Sequence, residues 1–231
     1  GTLIFKLRQP SKPALHLLIE SGRRSHLTSY TYEKPQRPPT FCMALRKYLR
    51  NGKVTEILQH EFERLITIKV STREGDFQFI CELFGEGNII LVDPENKILH
   101  ALTYRKMRDR NILRGETLQY PPPSGKNPFK VNRQDFDEIK KLKQLEIVRA
   151  LVKFLSIGGL YAEETLYRAQ IDKNTSCGSI TNQQLDEIFS QLQGILSQIK
   201  SGDVKPQVII DEKREWIDAT PIPLNKYAGF Q

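Results

Sequence analysis

The chain has 231 residues, 39% hydrophobic and 27% charged, an ordinary globular composition that excludes a disordered chain and supplies enough apolar side chains for a sizeable core. No apolar run approaches the roughly 18 residues of a membrane-spanning helix, and Cys42, Cys81 and Cys177, far apart and without a Cys-x-x-Cys pair, support neither a disulfide framework nor a structural zinc site. The net charge of +8 makes nucleic acid or another anionic surface the leading class of partner.

Residues 2–30 read as strands: Leu3-Ile4-Phe5 with Leu7, then Leu15, Leu17 and Ile19, ending in the polar turn Ser21-Gly22. The chain starts in mid-strand and its first methionine is Met43, so it is expected to be a fragment with further elements on either side. Thr31 to Pro39 is proline-rich and basic, an extended loop leading into a helix. That helix begins after Pro38-Pro39, with Thr40 as its expected cap, and carries Phe41, Leu45, Tyr48 and Leu49 on one face. Arg46, Lys47, Arg50 and Lys53 occupy the other face, and Asn51-Gly52 provides a left-handed stop. Such a face is either a solvated helix surface or a phosphate-binding one.

Val54, Ile57 and Leu58, then Leu65, Ile66, Ile68 and Val70, shift to strand rhythm with Glu63-Arg64 at the junction. Further strands are expected at Phe77–Phe84, Ile89–Val92 and Ile98–Thr103, their spacing favouring an antiparallel sandwich over a parallel sheet. Gly85-Glu86-Gly87 fits a hairpin better than a nucleotide loop, since neither a helix nor a Walker lysine follows. Tyr104 to Arg114 concentrates Arg105, Lys106, Arg108 and Arg110 ahead of Gly115 and the rigid Pro121-Pro122-Pro123. It is either a solvated charge run or a loop whose arginine forks grip phosphates.

Past the prolines the period becomes helical: Phe136, Ile139 and Leu142, then Leu145, Val148, Leu151, Val152 and Leu155. In SIGGLYAEETLYRAQI, Ser156 to Ile171, Gly158-Gly159 suggests a close backbone approach before a helix striped by Tyr161, Ala162, Leu166 and Ala169. Thr181 to Ile199 is another amphipathic helix, capped at Thr181 or Asn182 and ended by Gly202. Val208-Ile209-Ile210 and Trp216 to Ile222 form a terminal hairpin, with Trp216 expected in the core.

Catalytic sets are not evident. His16, His26, His60 and His100 are scattered, no Gly-x-Ser-x-Gly elbow exists, and Glu163-Glu164 would diverge on a helix. The expectation is a protein that is not an enzyme, with no catalytic residues, metal, cofactor or small-molecule substrate.

FCMALRKYLRNGK followed by FERL resembles the signature F-C-M-x-L-R-K, then Q-x-x-x-[DE]-R, of the NFACT family of fibronectin-binding-protein-A-like proteins and ribosome-associated quality control factors. Gly85 with Asn88 to Leu91 and Asp93, then Arg110, Gly115, Tyr120, Pro122 and Pro123, and finally GGLYAEE with Arg168 and Ala169, are similar to later segments of the same pattern. The last also resembles the helix–two-turn–helix of formamidopyrimidine-DNA glycosylases, but the amino-terminal Pro-Glu pair, the four-cysteine finger and the phosphate-gripping Asn, replaced by Gly159, are all missing.

The resemblance implies an α+β fold with three parts. These are an antiparallel β-sandwich over 1–131 like the glycosylase amino-terminal domain, a helix–two-turn–helix-like subdomain over 132–203, and a hairpin over 204–231 returning to the sandwich. It implies a cytoplasmic, non-enzymatic domain, without membrane contact, that recognises tRNA, chiefly alanyl-tRNA, on large ribosomal subunits obstructed by peptidyl-tRNA and supports mRNA-independent tailing of stalled chains. The family ties an acidic-Arg pair after the first helix to tRNA recruitment; Glu63 and Arg64 match it, with Glu in place of the common Asp. The expected tRNA-binding set is therefore Glu63, Arg64, Arg46, Lys47, Arg50, Arg105, Lys106, Arg108, Arg110, Gly158 and Gly159. The alternatives are a fibronectin-binding adhesion module and a DNA-binding relative of the glycosylases.

Overall fold

In the computed structural model, which describes residues 1–230, the chain forms two units, Gly1–Pro122 and Pro123–Gln231. The division falls inside the triple proline rather than at 131. Residues after Pro123 already belong to the helices: the Lys126 N–H donates to the Phe154 carbonyl, and the Ser156 N–H to that of Lys126.

In the first unit, β1 (Thr2–Leu7), β2 (Leu15–Glu20) and β3 (Arg24–Leu27) form a three-stranded antiparallel sheet. The polar β3 has no apolar alternation to announce it; it forms because the turn at Gly22 folds it back on β2. Helix α1 (Thr40–Leu49) follows. Strands β4 (Lys53–Gln59), β5 (Leu65–Thr72), β6 (Gly75–Glu82), β7 (Asn88–Val92) and β8 (Ile98–Ala101) then make a five-stranded antiparallel meander in sequence order.

Period-two alternation gives that sheet two apolar faces. On one, Ile68, Val70, Phe77, Phe79, Ile89 and Leu91 pack against Phe41 and Leu45 of α1 and Ile19 of the small sheet. The Phe5 ring meets that of Phe79 edge-on at 5.0 Å. On the other, Leu65, Ile80, Ile90, Val92 and Ile98 are covered by Ile112, Leu118, Met107 and Tyr120. Each such large apolar side chain taken out of water contributes about 1.5–3 kcal/mol, which makes these two layers the main support of the unit. Strand β7 is buried along its whole length because both faces are covered.

Thr40 is the first helical residue and not the cap; Pro39 precedes the helix, and its carbonyl accepts the Met43 N–H at 3.1 Å. Proline in that place fixes φ and lacks the N–H that the helix start would leave unpaired, so a side-chain cap is dispensable. At the other end Asn51 takes the left-handed conformation, φ 62°, and the Gly52 N–H closes on the Leu49 carbonyl.

Gly87, φ 66°, sits in the β6–β7 turn against the Gly22 turn; a Cβ on Gly87 would lie 1.9 Å from the Gly22 nitrogen. A Cβ on Gly22, φ 76°, would meet the Gly85 carbonyl oxygen at 2.8 Å. The two turns touch through bare backbone, and the glycine pair is a hairpin feature as expected.

In the second unit the stretch Gln134–Leu142 is a 3₁₀ helix where an α-helix was expected. Only Phe136 and Ile139 in it are buried, three residues apart, which matches the threefold 3₁₀ period. Helices α2 (Ile147–Phe154), α3 (Gly159–Arg168) and α4 (Asn182–Ser201) enclose a core of Phe136, Ile147, Leu151, Leu166, Leu185 and Ile188. Thr181 and Gln184 form a reciprocal capping box on α4, and Gly202, φ 74°, ends it.

The terminal strands β11 (Gln207–Ile210) and β12 (Trp216–Thr220) belong to this unit, not to the sandwich unit where the sequence placed them. Ile222 and Leu224 after the hairpin pack on Ile195 with Leu160, Tyr161 and Ile199. Glu164, fully buried on α3, accepts the N–H groups of Asn225 at 2.9 Å and Lys226 at 3.1 Å, and Arg168 Nε at 2.6 Å. This explains the second glutamate of GLYAEE: it anchors the chain after the hairpin. Trp216 is 68% exposed and is not a core residue. The ribbon buries one face, through Ile209, and a register shift beside Ile209 pairs Trp216 with Ile210.

Candidate nucleic-acid interface

On α1 the apolar spacing turns Phe41, Ala44 and Leu45 inward, which leaves Arg46 and Lys47 exposed on the outer side, and Arg50, extended just past the helix end, is exposed as well. None of the three has an acidic partner among the described residues, so their charge faces solvent uncompensated. Lys47 Nζ stands 5.0 Å from the centroid of the Tyr48 ring, and Tyr48 in turn approaches His100 of β8 at 6.3 Å. His100 is held below its ordinary pKa, chiefly by burial and then by the positive charges of Arg114 and Lys47. Both charges reach one imidazole, so the outer face of α1 and the end of the 104–114 segment contribute to a common field.

The β4–β5 turn places Glu63 and Arg64. The His60 N–H donates to the Leu65 carbonyl and the Glu63 N–H to that of His60, while Gln59 Nε2 donates to the Glu63 carbonyl at 2.9 Å. From the neighbouring strand the Leu83 N–H donates to the Arg64 carbonyl at 2.8 Å. The His60 ring lies flat on Tyr120, centroids 3.9 Å apart and planes 10° apart, and the Tyr120 hydroxyl meets Thr67 Oγ1 at 3.3 Å. Glu63 is half-buried and Arg64 exposed on this pinned backbone. Such a guanidinium is displayed from a preorganised base, which suits bidentate pairing with a phosphate or a base edge. In the sequence Tyr120 is a residue of the family pattern and His60 a scattered histidine, and nothing local to either pairs them.

The 104–114 segment is more ordered than a charge run. Short strands β9 (Arg105–Lys106) and β10 (Asn111–Ile112) pair across it. Lys106 and Arg108 are exposed, whereas Arg105 is half-buried and pairs with Glu86 at 2.9 Å. Arg110 departs from its expected place in the phosphate-gripping set. It is 7% exposed, its Nη1 lies 2.7 Å from Glu82 Oε1 and 3.4 Å from the Gln119 carbonyl, and its charge is answered within the protein. The contact to Glu82 is close but not aligned as a hydrogen bond to that oxygen. The residue anchors the segment to β6 and is not displayed to an outside phosphate.

In the second unit, Gly158 precedes α3 and Gly159 is its first residue, both exposed. No side chain caps this end, and no acidic residue lies in its first turn. Their backbone is not left-handed, and a Cβ added at either would meet nothing within 4 Å. The close approach expected of Gly158-Gly159 is therefore not one made by the chain's own packing. The open, uncapped amides can accept an anion.

Among the described residues no group of three or more His, Cys, Asp or Glu side chains is arranged to hold a metal. Burial pushes the Cys81 thiol up to about 12, so it is a packing group; Cys177 is likewise buried and Cys42 half-buried. No helix is long and apolar enough to cross a membrane among the described residues.

Residues 1–231 match the family model described as NFACT N-terminal and middle domains. An archaeal Rqc2 homolog, aRqcH, from Methanocaldococcus jannaschii is 35% identical over 236 residues, covering 99% of this chain and 35% of the relative. The human ribosome quality control complex subunit NEMF is 34% identical over 120 residues, 52% of this chain and 11% of that protein. The N-terminal structure of the fibronectin/fibrinogen-binding protein from Streptococcus suis aligns with a TM-score of 0.69 at 25% identity, over 98% of this chain and 80% of that one. The chain thus spans about a third of the length of the curated relatives it matches most fully.

Proposed function

The chain belongs to the NFACT family, and from that premise we propose that it is the tRNA-recognising part of a cytoplasmic ribosome quality control factor, acting by binding and not by catalysis. The carrying observation is Arg64, exposed on a turn whose backbone is fixed from β5, β6 and the His60–Tyr120 stack. It supplies an oriented fork, and Arg46 and Lys47 on α1, Arg50 just after it, and Lys106 and Arg108 supply unoriented charge. Glu63 beside Arg64 accepts from a base amino group or steers the fork. The exposed amides at Gly158 and Gly159 give a further phosphate contact. The names of the Methanocaldococcus and human relatives support ribosome quality control as the setting. Within it, the role we propose is to receive tRNA, chiefly alanyl-tRNA, on a large ribosomal subunit obstructed by peptidyl-tRNA, while the whole protein adds a tail without mRNA.

A salt titration of binding to purified tRNA, against duplex DNA of similar charge, tests this. Preference for tRNA that persists near physiological salt is the expected result, because a fixed fork reads shape where a basic face only counts phosphates. Equal, salt-fragile binding to both would refute it. A second reading, adhesion to fibronectin, draws on the name of the Streptococcus suis structure. Fractionation of intact cells separates the two, since adhesion needs the protein at the surface.

A further inference from the structure

An open cleft of about 520 Å³ lies beside β9 and β10, walled by residues that include Arg108, Asp109, Arg110, Asn111, Thr117 and Gln119. We propose that this cleft receives one unstacked nucleotide, with the base inserted, an inference that rests on the RNA-binding reading and adds to it a site for an unpaired residue.

The first argument is size. The cleft falls within the roughly 300–1,000 Å³ of small-molecule sites, far more room than one phosphate oxygen contact needs. The second is charge. Glu82 already answers the charge of Arg110, which leaves Arg108 against Asp109 and Glu116 along the cleft. In a chain of net charge +8, a cleft without excess positive charge is not built to collect phosphates. Its distinguishing chemistry is a mixture of donors and acceptors: the amides of Asn111 and Gln119, the Thr117 hydroxyl, two carboxylates and the Arg108 guanidinium. A nucleobase edge presents donors and acceptors side by side and calls for such a lining, and both amides can match it.

The third argument is preorganisation. Arg110 forms one wall while Glu82 and the Gln119 carbonyl hold its Nη1 from behind, so the wall is fixed by a buried charge pair. Asn111 is paired with Lys106, and the Gly115 and Leu118 N–H groups donate to the Ile98 and Asn96 carbonyls at 2.8 and 2.9 Å. Gly115 is left-handed, φ 83°, and a Cβ there would meet nothing within 4 Å, which leaves that side open to a ligand. Exposed Arg108 offers a planar guanidinium for stacking on the base, and Lys106 on the adjoining strand can take the 5′-phosphate.

The test is an NMR titration of the Asn111 and Gln119 side-chain amide resonances with the four ribonucleoside 5′-monophosphates, with inorganic phosphate as the charge control. Saturable shifts with nucleotides and none with phosphate are expected. Thr117→Trp fills the cleft without changing its charge and should abolish the shifts. The same variant should weaken tRNA binding about tenfold, the worth of one base contact, with an unchanged salt slope because no phosphate contact is lost. Gln119→Ala, which keeps the carbonyl that holds Arg110, should weaken the shifts and provides a second route should the tryptophan disturb folding. Equal responses to phosphate and nucleotide overturn the proposal. So does wild-type tRNA affinity in a folded Thr117→Trp variant, which leaves the tRNA reading standing. Nucleotide-specific shifts without any tRNA preference uphold the cleft and sink the tRNA reading instead.

Discussion

Arg110 Nη1 and Glu82 Oε1 face each other at 2.7 Å with both side chains 5% exposed, so the basic 104–114 segment is fastened to the sheet by a buried arginine. Removing either partner strands a buried charge. Arg110→Ala should cost about 3–5 kcal/mol in urea unfolding at neutral pH. Lys106→Ala and Arg108→Ala, both exposed, should stay within about 0.5 kcal/mol of wild type. A small loss for Arg110→Ala would show that the pair is not a structural anchor.

Arg64→Ala should leave the melting temperature unchanged and weaken tRNA binding by roughly 1–3 kcal/mol, the worth of one good bidentate contact. Lys47→Ala should instead reduce the salt slope by about one unit and affect tRNA and duplex DNA alike. Filter binding at several salt concentrations separates the two behaviours. Identical profiles for the two variants would remove any special role from the turn.

His100 supplies a pH signature. Burial, then Arg114 and Lys47, depress its folded pKa below the ordinary 6.5, so the unfolded chain binds the proton more readily. The stability tied to the neutral ring is complete above about pH 6.5 and declines as the pH falls below it toward the folded value. His100→Gln should flatten that part of the stability profile measured by thermal unfolding. Binding of tRNA over Lys47 should also raise the His100 pKa, read from its ring proton shift, because the phosphates neutralise a charge that depresses it.

Glu164→Gln should destabilise the second unit by about 1–3 kcal/mol, since a carboxylate accepting two backbone N–H groups and an arginine is replaced by an amide that presents a donor to one of them. Hydrogen exchange at Asn225 and Lys226 should speed up more than at the α4 amides. Uniform exchange changes throughout the unit would contradict a local anchoring role.

The strands and helices that were legible in the sequence are those in which one element owns its pattern. Leu65 to Val70 alternate because a single strand has two covered faces, and Leu185, Ile188, Leu192 and Leu196 repeat because one face of a long helix lies on the helical core. What escaped depends on distant partners. Gln134–Leu142 carries a helical stripe, yet only Phe136 and Ile139 are fully buried, with Leu142 at the margin of the core, and the tighter helix results. Trp216 reads as core by type, and only the one-sided burial of a two-stranded ribbon puts it outside. In the candidate interface the α1 cations followed from helical spacing alone. The burial of Arg110 depends on Glu82 in β6, and the support of Arg64 depends on Tyr120, neither of which local pattern can pair with its partner.

The Gly22–Gly87 contact sets a rule on how this sequence can drift. Any other residue at Gly87 would bring a Cβ into the Gly22 backbone, and any other at Gly22 would push one toward the carbonyl of Gly85, so no change at one position can compensate for a change at the other. Relatives that keep these two turns in contact should hold both glycines. A descendant that loses one should also show altered lengths in both turns, because the two loops can diverge only by parting.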